Sequence, residues 1–532
     1  MKKTLRKGLN GFVCLVLAGS VLVGCGGASE SAYNASESSP TSGYDSCDES
    51  AACEEPMYSN YPEYEPKESG ETYEKPDENE ADLVRSNPLS TFAMDVDTAS
   101  YANVRRMIED GYDKGRIPTD AVRPEEFINY FSYDLNAPKN GEAFGITTEI
   151  ADCPWNKDHK IMFVGLATEG IDKKELPNSN LVFLIDVSGS MDAPDKLDLL
   201  KKSMNEFVDS YGGDGKVSIV TYSGHEEVVL EGESISNRDK IKRAINGLRA
   251  SGCTNGQSGM EKAYQIAADN FVEGGVNRVI MATDGDLNVG ISNPDDLENF
   301  ITEKKETGVF LSVLGFGTGN IKDASMQRLA DCGNGNYSYI DSMIEARKVL
   351  VEEMSSTMVT VAKDAKIQVE FNPDKINGYR LIGYENRQMA AADFNDDKKD
   401  GGEVGAGHQV IALYEITTAD SEAAINLKYG QGEDKEYGDE FATVSVRYKE
   451  PEGEESKLSQ YTVTDEDVKE TPSDNMKFAQ IVAEFALILS DSEYKGEASY
   501  EHITETYSEI DAKDEYKDEF VQLVRMVAKR DI

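Results

Sequence analysis

Basic residues are scarce in this 532-residue chain. It contains 54 Lys and Arg against 99 Asp and Glu, which gives a formal net charge of −45 at pH 7. Proteins that bind nucleic acid neutralise phosphates with a basic patch or stripe, and this composition supplies none. The charge therefore argues against a nucleic-acid partner and favours solubility and the binding of cations or basic partners. The length predicts about two to four folded units.

Histidine and cysteine are also rare. There are four His and seven Cys, and no Cys-x-x-Cys pair occurs, which argues against a zinc site. Cys47 and Cys53 are close enough in sequence to pair, whereas Cys153, Cys253 and Cys332 are isolated. A chain with so few cysteines does not depend on a disulfide framework.

Long apolar runs are missing after the N-terminus, where no stretch approaches the ~18 residues of a membrane span. Lys2, Lys3, Arg6 and Lys7 precede a short apolar run from Phe12 to Val23, which is typical of an export signal. The run ends in Leu22-Val23-Gly24-Cys25, which resembles a bacterial lipobox. That resemblance implies that residues 1–24 are a lipoprotein signal peptide and that Cys25 is lipidated. The alternative is an ordinary signal peptide followed by a chance cysteine.

The segment from Ser29 to Glu80 contains no Leu, Ile or Val, and it carries fifteen acidic residues against two Lys. Such a segment cannot bury a core, and like-charge repulsion extends it. We therefore predict that residues 25–86 are an acidic, disordered tether behind the lipidated cysteine, with order beginning near Asn87. Its six tyrosines leave open a second role as recognition points. Together these features predict an exported protein, anchored by lipid to the bacterial cell envelope and facing outward from the cytoplasm.

Beyond the tether, the pattern of apolar and polar residues predicts four regions. Residues 87–177 form an N-terminal region with helices near Ser100–Asp110 and Pro124–Phe131 and strands near Phe144–Ile150 and Lys160–Leu166. Residues 178–355 alternate strand and helix, which is typical of a doubly wound, mostly parallel α/β sheet. Residues 356–465 form a β-rich C-terminal region, with predicted strands at 366–371, 379–384, 408–416, 425–429 and 441–448. Residues 466–532 form a helical region, with helices at 476–489 and 520–527.

The strands of the two flanking regions cannot easily bury their faces alone. We expect residues 144–166 and the strands after 360 to pack into one β-rich platform, with the α/β domain inserted between its halves. An absence of contact between residues 144–166 and 366–448 would contradict this expectation.

Three segments of the α/β domain carry clustered oxygen atoms. Asp186, Ser188 and Ser190 follow the apolar strand Leu181–Ile185, Thr254 lies just before a helix, and Asp284 ends another apolar strand. The carboxyl ends of parallel strands are where ligands bind in open α/β sheets. Hard oxygen donors at that edge suit a hard divalent cation such as Mg²⁺.

These residues match the metal-ion-dependent adhesion site (MIDAS) of von Willebrand factor A (VWA) domains, and the flanks are similar to bacterial VWA lipoproteins of the YfbK type. The flanking motifs are Leu89–Asp97, continuing through Arg106; Val122-Arg123-Pro124-Glu125-Glu126; Glu370-Phe371-Asn372-Pro373; Tyr379–Arg387; and Asp491–Gly496. The resemblance covers nearly all of residues 87–530, and it implies a Rossmann-like VWA sheet.

The resemblance also implies a ligand set. Ser188 and Ser190 would bind the metal directly, Thr254 directly or through water, and Asp186 and Asp284 mostly through water. The metal would be Mg²⁺, with Mn²⁺ or Ca²⁺ possible. Because few anionic ligands bind directly, the ion stays electrophilic, and a partner's Asp or Glu can complete its octahedron.

Other motifs are weaker. Gly315-Phe316-Gly317-Thr318-Gly319 follows a strand, but the dinucleotide pattern fails at Asn320 and no Walker lysine follows. Asp393, Asn395 and Asp397 start like an EF-hand, but Lys398 replaces its glycine. The four histidines fall in separate segments.

Three functions remain open from the sequence. The first is a binding module that engages a protein partner through the metal. The second is a structural envelope scaffold whose metal site only stabilises the fold. The third is a metal-dependent hydrolase, which lacks a plausible general base near Asp186. We expect a protein that is not an enzyme.

Overall fold

A computed structural model describes residues 70–74, 77–94, 97–139, 141–253, 256–285, 294–399, 401–421, 423–424 and 438–531. The chain divides into two units, Met1–Glu65 and Pro66–Ile532. The predicted signal peptide, Cys25, Cys47, Cys53, most of the tether, Thr254 and the strand expected at 425–429 lie outside the described residues.

The strands and helices of the described residues are numbered in chain order. The strands are β1 (Asp82–Leu83), β2 (Leu89–Ala93), β3 (Gly145–Asp152), β4 (Lys160–Ala167), β5 (Ser179–Asp186), β6 (Gly215–Tyr222), β7 (Glu226–Ser234), β8 (Val276–Thr283), β9 (Phe310–Phe316), β10 (Tyr337–Ile340), β11 (Thr360–Phe371), β12 (Ile376–Leu381), β13 (Gly402–Gly405), β14 (Gln409–Thr418), β15 (Glu440–Lys449) and β16 (Ser456–Thr464). The helices are α1 (Ala99–Glu109), α2 (Pro124–Asn129), α3 (Leu197–Ser210), α4 (Arg238–Gly247), α5 (Gln257–Asp269), α6 (Pro294–Lys305), α7 (Asp323–Cys332), α8 (Met343–Arg347), α9 (Met354–Met358), α10 (Asp474–Leu489), α11 (Tyr500–Ser508) and α12 (Glu515–Arg530).

The central sheet has the strand order β10-β9-β8-β5-β6-β7. All neighbouring pairs are parallel except β6 with the edge strand β7. Every residue of β5 is buried, as a continuous apolar run predicts for a central parallel strand. The chain leaves β5 toward β6 on one side and later returns to β8 on the other, so the carboxyl end of β5 lies at the topological switch point. The predicted doubly wound sheet is confirmed.

Helices cover both faces of this sheet because side chains alternate along β5. Phe183 and Ile185 pack in one apolar cluster with Leu200 and Phe207 of α3. Val182 and Leu184 pack in the opposite cluster with residues of α5, including Met260 and Ala263. This alternation is the period-2 geometry of a strand that is buried on both sides.

Two further sheets form the expected platform. One has the order β1-β12-β14-β4-β3, and the other has β13-β11-β15-β16 with β2 also paired to β11. Strand β4 pairs antiparallel with β14 from Lys160↔Ile416 to Ala167↔Gln409, which joins segments on either side of the α/β domain. Apolar side chains of both sheets share one core, including Val164 and Ile367. The hypothesis of an inserted α/β domain is therefore confirmed, although the platform consists of two sheets.

The C-terminal helices pack around α10, which buries every residue from Phe478 to Leu489. A helix that is apolar on all sides must be covered on all sides. Its apolar cluster includes Trp155 and Phe163 from the platform, Phe127 from α2 and Phe520 from α12. Within the described residues, no helix is long and apolar enough to cross a membrane.

Several elements differ from the sequence-based expectations. Described residues upstream of Asn87 are already packed: the Thr72 N–H donates to the Ile321 carbonyl at 3.0 Å, and β1 pairs with β12. Elements β13, β16, α6, α7 and α11 were not predicted, because short or weakly periodic segments carry little pattern. Between α8 and α9 the α-helical geometry is interrupted at Lys348–Glu352, where the chain makes a wider π-type turn. Cys153, Cys253 and Cys332 are unpaired.

Candidate metal site at the carboxyl edge of the central sheet

Asp186 is the last residue of β5 and is fully buried. Its Oδ1 accepts a hydrogen bond from the Ser188 backbone N–H at 2.8 Å. The intervening Val187 N–H donates to the Tyr222 carbonyl at 3.0 Å, across the neighbouring strand. The chain therefore turns sharply around the carboxylate, which holds the hydroxyl-bearing loop close to it.

Ser188 and Ser190 lie on that loop, which continues as a 3₁₀ turn over Gly189–Met191. Their Oγ atoms are 3.0 Å apart. Ser188 is buried, whereas Ser190 is exposed. The pair thus places two hydroxyl-bearing side chains together, of which Ser188 is buried and Ser190 is exposed to solvent.

The loop that carries Thr254 lies against this turn. The Gly189 N–H donates to the Gly252 carbonyl at 3.0 Å, and the Ser251 N–H donates to the Val187 carbonyl at 2.7 Å. Gly252 has φ +84°, and a Cβ there would lie 3.3 Å from the Ser223 Oγ. A left-handed backbone at a close approach is where glycine is favoured. Thr254 itself lies outside the described residues, two positions beyond this contact.

Asp284 directly follows β8, the strand next to β5, and is 1% exposed. Gly285 comes next with φ +93°, and a Cβ there would lie 2.7 Å from the Asn320 carbonyl oxygen. The Asp284 Oδ2 accepts a hydrogen bond from Lys196 Nζ at 2.8 Å, in a pair with side-chain exposures of 0% and 9% respectively. The sequence analysis missed Lys196, because a single lysine before an amphipathic helix gives no signal.

The electrostatics of the edge are those of a buried acidic site. Burial raises the pKa of the Tyr222 hydroxyl well above its usual value, and the nearby Asp186 and Asp284 carboxylates raise it further. In the described part of the chain, no group of three or more His, Cys, Asp and Glu is arranged to hold a metal. The candidate site is of a different kind, since two carboxylates and two hydroxyls are its described donors. That all-oxygen set fits a hard cation such as Mg²⁺ and not a soft one.

The weaker motifs have other roles. In the glycine-rich loop, the Gly319 N–H donates to the Glu71 Oε1 at 3.0 Å, so a side chain of the protein takes a place that a phosphate would use. In the EF-hand-like segment, Arg447 Nη2 donates to the Asn395 Oδ1 at 2.8 Å, and Lys399 Nζ lies 3.6 Å from the Asp393 Oδ1. Cationic side chains of the protein therefore already contact two of the three side chains of this motif.

The histidines lie apart, as expected. His159 contacts Glu415 at 2.6 Å, and His502 contacts Glu484 at 2.7 Å. His408 is half-buried, and desolvation lowers the pKa of its imidazole. These contacts place the three side chains in separate regions of the fold.

Three family models match the chain. They are described as von Willebrand factor type A domain, over residues 180–357, Uncharacterized protein YfbK, C-terminal, over residues 356–529, and von Willebrand factor, over residues 67–163. The protein described as Uncharacterized protein YfbK of Escherichia coli strain K12 is 40% identical over 467 residues, which cover 85% of this chain and 80% of that protein. The chain belongs to the YfbK family.

More distant relatives of this YfbK-family chain match shorter stretches. Uncharacterized protein sll0103 of Synechocystis is 27% identical, over 37% of the chain and 47% of that protein. The rat voltage-dependent calcium channel subunit alpha-2/delta-2 is 25% identical, over 54% of the chain and 27% of that protein. Among solved structures, a von Willebrand factor type A protein from Catenulispora acidiphila has a TM-score of 0.40 at 16% identity, covering 74% of this chain and 91% of that chain.

Proposed function

We propose that this protein binds a divalent cation at Asp186, Ser188, Ser190, Thr254 and Asp284, and uses it to bind a protein partner at the bacterial cell envelope. The observation that carries the proposal is that the donor-bearing loop after β5 and Asp284 after β8 lie together at the switch point of the sheet. Ser188 and Ser190 lie 3.0 Å apart beside Asp186, and Asp284 follows the adjacent strand. The cation would be Mg²⁺, with Mn²⁺ or Ca²⁺ as alternatives.

The donor set supports binding and not catalysis. Magnesium retains several waters and needs few protein carboxylates. A metal held largely by hydroxyls and water keeps most of its positive charge, so an Asp or Glu side chain of a partner can complete the coordination shell. This mode of recognition requires no protein nucleophile and no general base. We therefore infer that the VWA domain is an interaction domain and not an enzyme.

The N-terminal segment supports an envelope location. A lipid on Cys25 would anchor the chain, and the acidic stretch behind it would hold the folded part away from the membrane surface. The described residues between Gly70 and Ser86, which composition assigns to the tether, include segments that pack on the folded part. Mass spectrometry of the purified protein, before and after alkaline ester cleavage, tests for the lipid on Cys25.

Thermal unfolding tests the metal site. We expect Mn²⁺ or Mg²⁺ to raise the melting temperature of the wild type, because a ligand at about 100 times its Kd stabilises the native state by ~2.7 kcal/mol. Asp284→Ala should abolish the shift, and Ser188→Ala should reduce it. Asp214→Ala, which changes an exposed aspartate in the turn before β6, is the matched control and should retain it. A wild type whose melting temperature is unaffected by either metal would contradict the proposal.

The partner is tested by capture from envelope extracts with and without a chelator. A metal-bridged partner should be retained with Mg²⁺ and released by the chelator, and Ser188→Ala should not retain it. Equal retention under both conditions would instead support the second candidate, a structural scaffold whose metal site only stabilises the fold. One observation favours this second candidate: β4 and β14, which lie on either side of the inserted domain in sequence, pair in one sheet of the platform.

A further inference from the structure

Lys196 places its ammonium group beside Asp284 in the candidate metal site. The residue is 7% exposed, it immediately precedes α3, and its ammonium lies 2.8 Å from the Asp284 Oδ2. A buried lysine is costly unless its charge is paired, and here the pairing partner is itself one of the five candidate metal-site residues. The site therefore contains a fixed positive charge of its own.

The fold is shaped to admit this side chain. The aliphatic stem of Lys196 runs along Gly317, where an added Cβ would lie 2.2 Å from the Lys196 Cγ and 2.4 Å from its Cε. Gly317 also has φ +74°, so a side chain there would be both strained and obstructed. The glycine-rich loop after β9 resembles a phosphate loop in sequence. In the structure it forms one wall of a channel that holds the aliphatic stem of Lys196.

The neighbouring contacts hold this wall in place. The Tyr339 hydroxyl donates to the Gly317 carbonyl at 2.8 Å, and the Gly319 N–H donates to the Glu71 Oε1 at 3.0 Å. Because the loop is tied at two points and the stem is confined, the ammonium has little freedom to withdraw from Asp284. The positive charge of Lys196 therefore acts on any cation or anionic ligand that the site binds.

The charge balance shows the consequence. Asp186 and Asp284 contribute two negative charges and Lys196 contributes one positive charge, so these three side chains sum to −1. A bound divalent cation brings the sum for this group to +1, whereas without the lysine the sum would be zero. A residual positive charge weakens the hold on the metal and strengthens the attraction for an anionic ligand.

We propose that Lys196 is a built-in counter-charge that lowers the metal affinity of the site and makes the metal-loaded site selective for a carboxylate-bearing partner. The proposal rests on the proposed function, since it concerns the same site. It assigns to Lys196 a positioning and electrostatic role and not direct contact with the metal. It also distinguishes Lys196 from an ion pair that only stabilises the fold, which would leave ligand affinities unchanged when it is removed.

The test measures two affinities in the purified full chain. Mn²⁺ binding is followed by calorimetry and by the electron paramagnetic resonance of free Mn²⁺, and acetate binding to the Mn²⁺-loaded protein is followed by titration. We expect Lys196→Met, which keeps the stem and removes the charge, to bind Mn²⁺ roughly tenfold more tightly, as removal of one repelling charge near a divalent ion predicts. Acetate affinity of the loaded variant should fall by about threefold or more.

Lys202→Met is the matched control, because it removes the same charge from an exposed position on α3 and should change neither affinity. If Lys196→Met does not fold, Lys196→Gln, which keeps a hydrogen-bond donor for Asp284, is measured in its place with the same expectation. Unchanged Mn²⁺ and acetate affinities in the neutral variant, with only a lower melting temperature, would overturn the inference. A wild type that binds no Mn²⁺ at all would instead refute the proposed metal site, so the two failures are distinguishable.

Discussion

Replacement of Arg105 by methionine should strongly destabilise the whole folded unit. This arginine lies on α1 and is 1% exposed. It donates from Nε to Asp341 at 2.8 Å, from Nη2 to Glu345 at 2.7 Å, and from Nη1 to both the Tyr130 hydroxyl and Glu519. Its partners belong to the N-terminal region, the VWA domain and α12. One guanidinium therefore joins three parts of the chain that are distant in sequence.

The magnitude follows from what the substitution leaves behind. The side chains of Asp341 and Glu345 are 2% and 1% exposed, so both carboxylates would remain buried without their cation. Removal of one partner of a buried ion pair costs about 3–5 kcal/mol. With two stranded carboxylates, we expect Arg105→Met to lower the free energy of unfolding by about 4–5 kcal/mol.

Urea unfolding, followed by circular dichroism, gives the free energies. Arg328→Met is the control: its guanidinium is 54% exposed and lies 3.5 Å from Glu298, and an exposed pair contributes about 0–1 kcal/mol. Adding Asp341→Asn and Glu345→Gln to Arg105→Met should restore about 1–2 kcal/mol, because the stranded charges are then removed. A loss in Arg105→Met no larger than in Arg328→Met, or no recovery in the triple variant, would refute the reasoning.

Two further predictions concern positions away from the candidate site. Burial, with the negative charge of Glu385 next in importance, raises the pKa of Glu125 to about 8, so the folded state binds a proton that the unfolded state releases above pH ~4.5. The wild type is therefore most stable at low pH and loses free energy of unfolding as the pH rises to about 8. Glu125→Gln does not titrate, so its free energy of unfolding should increase relative to the wild type over that window, by up to about 4 kcal/mol at pH 8. A difference between the two proteins that does not vary with pH would count against this. At Gly335, a Cβ would lie 1.7 Å from the Leu311 carbonyl oxygen, so Gly335→Ala should cost roughly 2 kcal/mol or more by urea unfolding, whereas Gly224→Ala, with nothing within 4 Å, should cost less than about 0.5 kcal/mol.

Much of the central domain could be predicted because its signals are local. A continuous apolar run specifies a strand buried on both faces, and β5 is such a strand over its whole length. The spacing of Leu200, Met204 and Phe207 specifies a helix with one apolar face, and these residues pack on the sheet through α3. Donor residues at the ends of two such strands must share an edge if the strands are parallel neighbours. Asp186 and Asp284 meet this condition.

Contacts between segments that are distant in sequence could not be predicted from local patterns. No local pattern indicates that β4 pairs with β14, although the need of both flanking regions to cover their apolar faces made some pairing expected. The docking of Gly70–Thr72 against Ile321 and Lys322 was missed because an acidic, Leu-free segment resembles a solvated tether. Its contacts are backbone hydrogen bonds and ion pairs, which hydrophobic periodicity does not report.

The sequence by itself determined the class of the central sheet, the order of its motifs and the choice of candidate donor residues, because burial and ligand chemistry are properties of short segments. Tertiary structure alone decided what surrounds those donors. The contact between Lys196 and Asp284 joins residues 88 positions apart, and it depends on the channel along Gly317 from a third segment. Charge at the candidate site is therefore a property of the assembled fold, since it is the sum over side chains that only folding brings together.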